Sequence, residues 1–180
     1  MNRESTPASN PFSTKFIRPA RMSDHLVSVR EPAALWGRFQ DAGFVGQIVG
    51  PHGSGKSTLL WRLTDVMADV RISCDWQTLS RNDRLPKPPM RATVHVLEGV
   101  EWLSAFDRFR IRLRGWSGRR LLLTTHKQLP GIPVIAKLTS SLHIAVEIVA
   151  HLLKNDHSNL IHPSDIQWSF EKNNGNLREM

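Results

Sequence analysis

Cysteine is nearly absent. Cys74 is the one cysteine in 180 residues, which excludes an intramolecular disulfide framework and any zinc site built from cysteine alone. No segment approaches the roughly 20 apolar residues of a membrane span, and the opening MNRESTPASNPF lacks the apolar core of a secretory signal. The expected location is cytoplasmic. There is no internal repeat, no paired metal spacing among the eight histidines, and no zinc-finger or aromatic RNA-binding signature. Acids are also in deficit: 16 Asp and Glu face 24 Lys and Arg, for a formal charge of +8. That balance favours polyanionic partners such as nucleotides, nucleic acids or an acidic membrane surface. With 40% apolar and 22% charged residues, the chain has the composition of one soluble globular domain, not of a disordered or collagen-like one.

What is present has a clear order. Residues 1–24 are rich in Ser, Thr, Pro and Asn without apolar periodicity, and read as an extended N-terminal arm. Pro32 suits the first turn of a short helix through Phe39, ended by Gly43. Phe44–Gly50 is a short apolar run that predicts a buried strand. Residues 56–70 then place Leu59, Leu60, Leu63, Val66, Met67 and Val70 on one helical face. Further strands are expected around Val70–Cys74, Ala92–Leu97, Leu121–Thr125 and Ile132–Lys137, with a polar, proline-broken loop over Ser80–Pro89. A helix over Glu101–Arg114 carries Trp102, Phe106, Phe109 and Leu113 at helical spacing. Near-continuous apolar strands alternating with helices predict an α/β fold, a three-layer parallel sheet spanning residues 25–138. Two helices follow, Ser141–Lys154 with Leu142, Val146, Val149 and Leu153 on one face, and Pro163–Glu171. They predict a small helical lid over 139–180.

Gly50-Pro51-His52-Gly53-Ser54-Gly55-Lys56-Ser57 matches G-x-x-x-x-G-K-[ST] at every fixed position, with Thr58 following. An apolar strand runs into it and an amphipathic helix leaves it, the context of a P-loop. Glycines let the backbone turn so that successive N–H groups face a phosphate chain, and the helix N-terminus adds its positive end. Lys56 can reach the terminal phosphates and Ser57 can place its hydroxyl on Mg²⁺. Neither the N-K-x-D and D-x-x-G motifs of common GTPases nor the L-S-G-G-Q signature of ABC ATPases occurs. ATP is the expected nucleotide.

An NTPase of this kind also needs a carboxylate at a neighbouring strand end and a group to orient water. Val94–Leu97 is the apolar strand that runs into acids, with Glu98 on the metal side and Glu101 as candidate base. Glu101 also suits a plain helix start, where the dipole favours an acid. Thr125 and His126 close the Leu121–Thr125 strand, where polar residues face the ligand crevice of an open parallel sheet. They can sense the terminal phosphate, position water or simply cap the strand end.

Taken together, GPHGSGKST, the strand ending in acids, LLLTTH and the tail Gly175-Asn176-Leu177-Arg178-Glu179 resemble the AAA-plus ATPase layout. The resemblance covers most of residues 44–180 and implies Walker A, Walker B, sensor 1 and sensor 2 in that order. It makes Arg178 the lid arginine that reaches the nucleotide phosphates, as in replication-initiator-like members. The chain is also similar to small bacterial P-loop ATP-binding proteins from its N-P-F lead-in onward. Where the family has Asp-Glu at the end of Walker B, this chain has Glu98-Gly99. The implied activity is a Mg²⁺-dependent ATP hydrolase of low intrinsic turnover that couples nucleotide state to a partner.

Arg108, Arg110, Arg112, Arg114, Arg119, Arg120 and Lys127 follow one another with no acid between residues 108 and 127. On a helix, Arg108/Arg112 and Arg110/Arg114 are like-charged i,i+4 pairs. Nucleic acid, a protein partner's acids or nucleotide phosphates would relieve them, unless the face is simply solvated. Two other functions fit the same motif. A small-molecule kinase would draw lid arginines from Ser80–Arg91 and Arg108–Arg120. A nucleotide-regulated DNA-binding module would bind DNA with steep salt dependence.

Overall fold

The computed structural model describes residues 32–90, 93–152, 161–177 and 179. The arm over 1–24, the end of the Ser141–Lys154 helix and Arg178 lie outside the described residues. The elements are α1 (Pro32–Asp41), β1 (Val45–Val49), α2 (Lys56–Asp69), β2 (Cys74–Thr78), β3 (Val94–Glu98), a 3₁₀ turn (Val100–Trp102), α3 (Ala105–Trp116), β4 (Leu121–Thr125), β5 (Val134–Lys137), α4 (Leu142–Leu152) and α5 (Pro163–Lys172).

The five strands form one sheet in the order β2-β3-β4-β1-β5, and every pairing is parallel. Side-chain alternation divides the core between the two faces. Ile48, Val94, Val96 and Leu122 pack with Leu35 and Phe39 of α1 and Leu60, Leu63 and Met67 of α2. Val45, Leu97, Leu121 and Leu123 pack with Val100, Leu103 and Ile111. Strands covered on both faces are why β1 and β4 are buried along their whole length and read as apolar runs.

Two expectations are corrected. The strand expected at Val70–Cys74 begins only at Cys74, because residues 70–72 close α2: Arg71 takes a positive φ of 59° and Ile72 N–H donates to the Met67 carbonyl at 2.8 Å. The helix expected over Glu101–Arg114 is interrupted. Ser104 caps a fresh start by accepting the Asp107 N–H at 3.1 Å. Its stripe of Trp102, Phe106, Phe109 and Leu113 faces outward, between 44% and 70% exposed, while Ile111 is fully buried. Likewise Val146 of α4 is exposed and Ala145 buried. The α5 start follows its sequence signals, with Pro163 at the first turn and the Asp165 carboxylate accepting the His162 N–H at 2.9 Å.

Candidate functional site

The carboxyl ends of β1, β3 and β4 lie side by side, which is where open parallel sheets leave a crevice. The Gly50–Ser57 segment leaves β1 there, and Gly50 N–H donates to the Thr125 carbonyl at 3.1 Å. A Cβ at Gly50 would come within 2.6 Å of Ser54 Oγ and 2.9 Å of the Leu138 carbonyl, so only glycine fits. Gly53 has a φ of +68°, and a Cβ there would sit 2.7 Å from Leu177 N. The tail segment Asn176-Leu177 therefore packs directly on the glycine loop. Arg178, the next residue, lies outside the described residues.

Within the loop, Lys56 Nζ donates to the carbonyls of Gly50 at 2.7 Å and Pro51 at 2.6 Å. Ser54 is buried and its hydroxyl donates to the Pro51 carbonyl at 2.9 Å. Ser57 opens α2, and its hydroxyl donates to Glu98 Oε1 at the end of β3. The other Glu98 oxygen accepts from Thr78 Oγ1 at 3.1 Å. Thr78 and Glu98 are register partners on β2 and β3. Sequence reasoning missed Thr78 because a strand ending at Cys74 stops short of it, and its place beside Glu98 follows from the β2–β3 register. Thr58 is buried at 6% exposure on α2, and its side chain belongs to the helix's covered face.

A second cluster adjoins this one. Glu101 sits on the 3₁₀ turn after Gly99, and its Oε1 lies 2.8 Å from His126 Nε2. The His126 ring meets His52 of the glycine loop edge-on, with centroids 3.7 Å apart. Burial, then the Lys56 ammonium and His52, push the His126 pKa down to about 4. That direction favours the uncharged imidazole, whose Nε2 faces the carboxylate. Glu101 Oε2 is buried without a hydrogen-bond partner. Thr124 Oγ1 accepts the Gly99 N–H at 3.1 Å, tying the turn to β4. Thr125 is buried and its hydroxyl donates to the Lys127 carbonyl at 2.9 Å, the strand-end cap that was one of its expected roles.

Of the expected site residues, Gly50, Pro51, His52, Gly53, Ser54, Gly55, Lys56, Ser57, Glu98, Glu101 and His126 are thus joined by contacts or by chain adjacency at one end of the sheet. No family model and no curated protein matches the chain.

Proposed function

We propose that the chain binds ATP with Mg²⁺ at the Gly50–Ser57 loop, on a P-loop NTPase core, and hydrolyses it slowly. The observation that carries this reading is the Ser57 hydroxyl held on Glu98 beside a glycine loop that opens a helix. A hydroxyl and a carboxylate are the hard oxygen donors that suit Mg²⁺, which ordinarily takes few protein ligands and completes its shell with waters and phosphate oxygens. When bound, the ion supplies neutralisation of phosphate charge. The backbone N–H groups where the loop enters the helix suit phosphate oxygens, and Lys56 brings the ammonium that pairs with them.

Glu101 is the group to orient the attacking water and take its proton, since its Oε2 is buried and unpartnered. His126 fixes that carboxylate through Oε1. Glu101 stands on a separate turn, and Gly99 fills the position beside Glu98 where a carboxylate would be best placed. This supports turnover below the roughly 1 s⁻¹ at the low end of typical enzymes. The state of the nucleotide then serves a partner, with the arginine-rich α3 surface as the face for it.

Calorimetric titration with ATP, with and without Mg²⁺, tests binding, and steady-state phosphate release tests hydrolysis. Mg²⁺-dependent ATP binding with slow release is expected. Absence of ATP binding in Mg²⁺ overturns the proposal.

A further inference from the structure

The Ser57–Glu98 pair is extended by two residues of β2. Trp76 lies two residues before Thr78, so both side chains stand on one face of the strand. Trp76 Nε1–H donates to Thr78 Oγ1 at 3.3 Å, and Thr78 Oγ1 donates to Glu98 Oε2 at 3.1 Å. The remaining carboxylate oxygen, Oε1, accepts from the Ser57 hydroxyl. Side chains from β2, β3 and α2 therefore form one line of hydrogen bonds, from indole to hydroxyl to carboxylate to hydroxyl.

Chemistry fixes the direction of that line. An indole nitrogen can only donate, and an ionised carboxylate can only accept. The Thr78 hydroxyl serves both neighbours in one way, by accepting from Trp76 and donating to Glu98. Thr78 is exposed, and an exposed hydroxyl is otherwise free to turn its proton toward water. The Trp76 N–H occupies a lone pair of that oxygen and leaves the proton for Glu98.

The indole is itself held in place. Its ring packs against Trp61, with centroids 4.7 Å apart and planes tilted by 34°. Trp61 stands about one turn after Ser57 on α2. The ring pair therefore ties α2 to β2, the two elements whose hydroxyls hold Glu98. That tie matters because β2 is an edge strand, paired with β3 alone.

We infer that Trp76 and Thr78 are positioning residues for the Mg²⁺ site, fixing Glu98 through Oε2 so that Oε1 is presented beside the Ser57 hydroxyl. This role rests on the proposed binding of ATP with Mg²⁺ and adds the residues that set the metal-side carboxylate. Carboxylates that ligate a metal are themselves oriented by such outer hydrogen bonds, whose loss weakens the metal.

One measurement needs no nucleotide. The Trp76 indole ¹H–¹⁵N resonance, assigned by its loss in Trp76→Phe, should move in Thr78→Val and in Glu98→Gln. Thr78→Ser, which keeps the hydroxyl, should return it toward the wild-type position. A resonance unmoved in Glu98→Gln overturns the inference. The second measurement is calorimetric ATP affinity with Mg²⁺ and with EDTA, whose ratio is the gain supplied by the metal. Thr78→Val should lower that gain by about tenfold to a hundredfold, and Thr78→Ser should restore it. Trp76→Phe keeps a ring against Trp61 and should lower the gain by about twofold to tenfold, the effect of one neutral hydrogen bond. A plain packing role would lower ATP affinity equally with and without the metal. That result, or an undiminished gain in Thr78→Val, overturns the inference and leaves the nucleotide reading standing. Wild-type protein that gains nothing from Mg²⁺ overturns both.

Discussion

At the carboxyl ends of the strands, Lys56, Ser57 and Glu98 are each satisfied by partners from the glycine loop or an adjoining element. At the amino ends, His95 and Arg114 keep buried nitrogens with none. Both ends present cations near a sheet edge, yet they are built differently. The first centres on one loop whose own carbonyls hold the ammonium, with Glu98 of β3 and Thr78 of β2 brought alongside. The second is assembled from β3, the end of α3, the Arg119-Arg120 lead into β4 and a proline turn. The contrast separates a site centred on local backbone geometry from a cluster held by long-range packing, and substitutions at the two ends should break different properties.

The largest effect is expected at Glu101. Glu101→Gln keeps the shape but removes the proton acceptor, so phosphate release should fall by about 10²–10⁴ with ATP affinity retained. Equal turnover in the variant would remove Glu101 from the chemistry and leave it as the acid of a capped turn. Next comes Lys56→Ala, which should weaken ATP by about tenfold to a hundredfold in a calorimetric titration. Among its contacts in the free protein are two loop carbonyls, and its melting temperature should stay close to wild type. Unchanged ATP affinity would leave the loop as a structural turn.

Gly53→Ala tests whether the tail and the loop form one unit. The new Cβ meets Asn176 and Leu177 and must also adopt a positive φ, a strain of about 1–3 kcal/mol. Lower thermal stability and faster proteolytic trimming of residues after α5 are expected. If trimming is unchanged, the tail does not depend on its seat over Gly53.

How much of this was readable beforehand follows the same division. The parallel α/β sheet, the Gly50–Ser57 loop and Glu98 were legible, because each is written in a short window: an apolar run, fixed glycine spacing, an acid at a strand end. The outward stripe on α3 was not. Periodicity places Trp102, Phe106, Phe109 and Leu113 on one face but says nothing of which face the sheet covers, and Val100, Leu103 and Ile111 fill that space instead. Thr78 was hidden by a helix-closing turn at Arg71, a residue type that seldom takes positive φ. The cluster at His95 had no local signal, since its residues lie up to 33 positions apart, from Pro88 to Leu121. The arginine run was visible as charge. That part of it converges on a buried imidazole is a property of the packing.

The smallest expected effect is a pH dependence that tells the two ends apart. An unfolded histidine titrates near 6.5, whereas His95 and His126 are held down to about 4 in the folded chain. Between those values the unfolded state binds more protons than the folded one, so stability falls as pH falls. The contribution is fully present above about 6.5, is lost progressively toward about 4, and is flat below that. For the buried His95 the slope is on the order of 1 kcal/mol per pH unit. His126, with 22% of its side chain exposed, should give a shallower one. Urea unfolding of wild type, His95→Gln and His126→Gln across this window measures each slope. His95→Gln should flatten the curve more than His126→Gln. A wild-type slope retained in His95→Gln would mean that the imidazole is not held neutral at the amino end of the sheet, and the contrast between the two ends would then rest on the arginines alone.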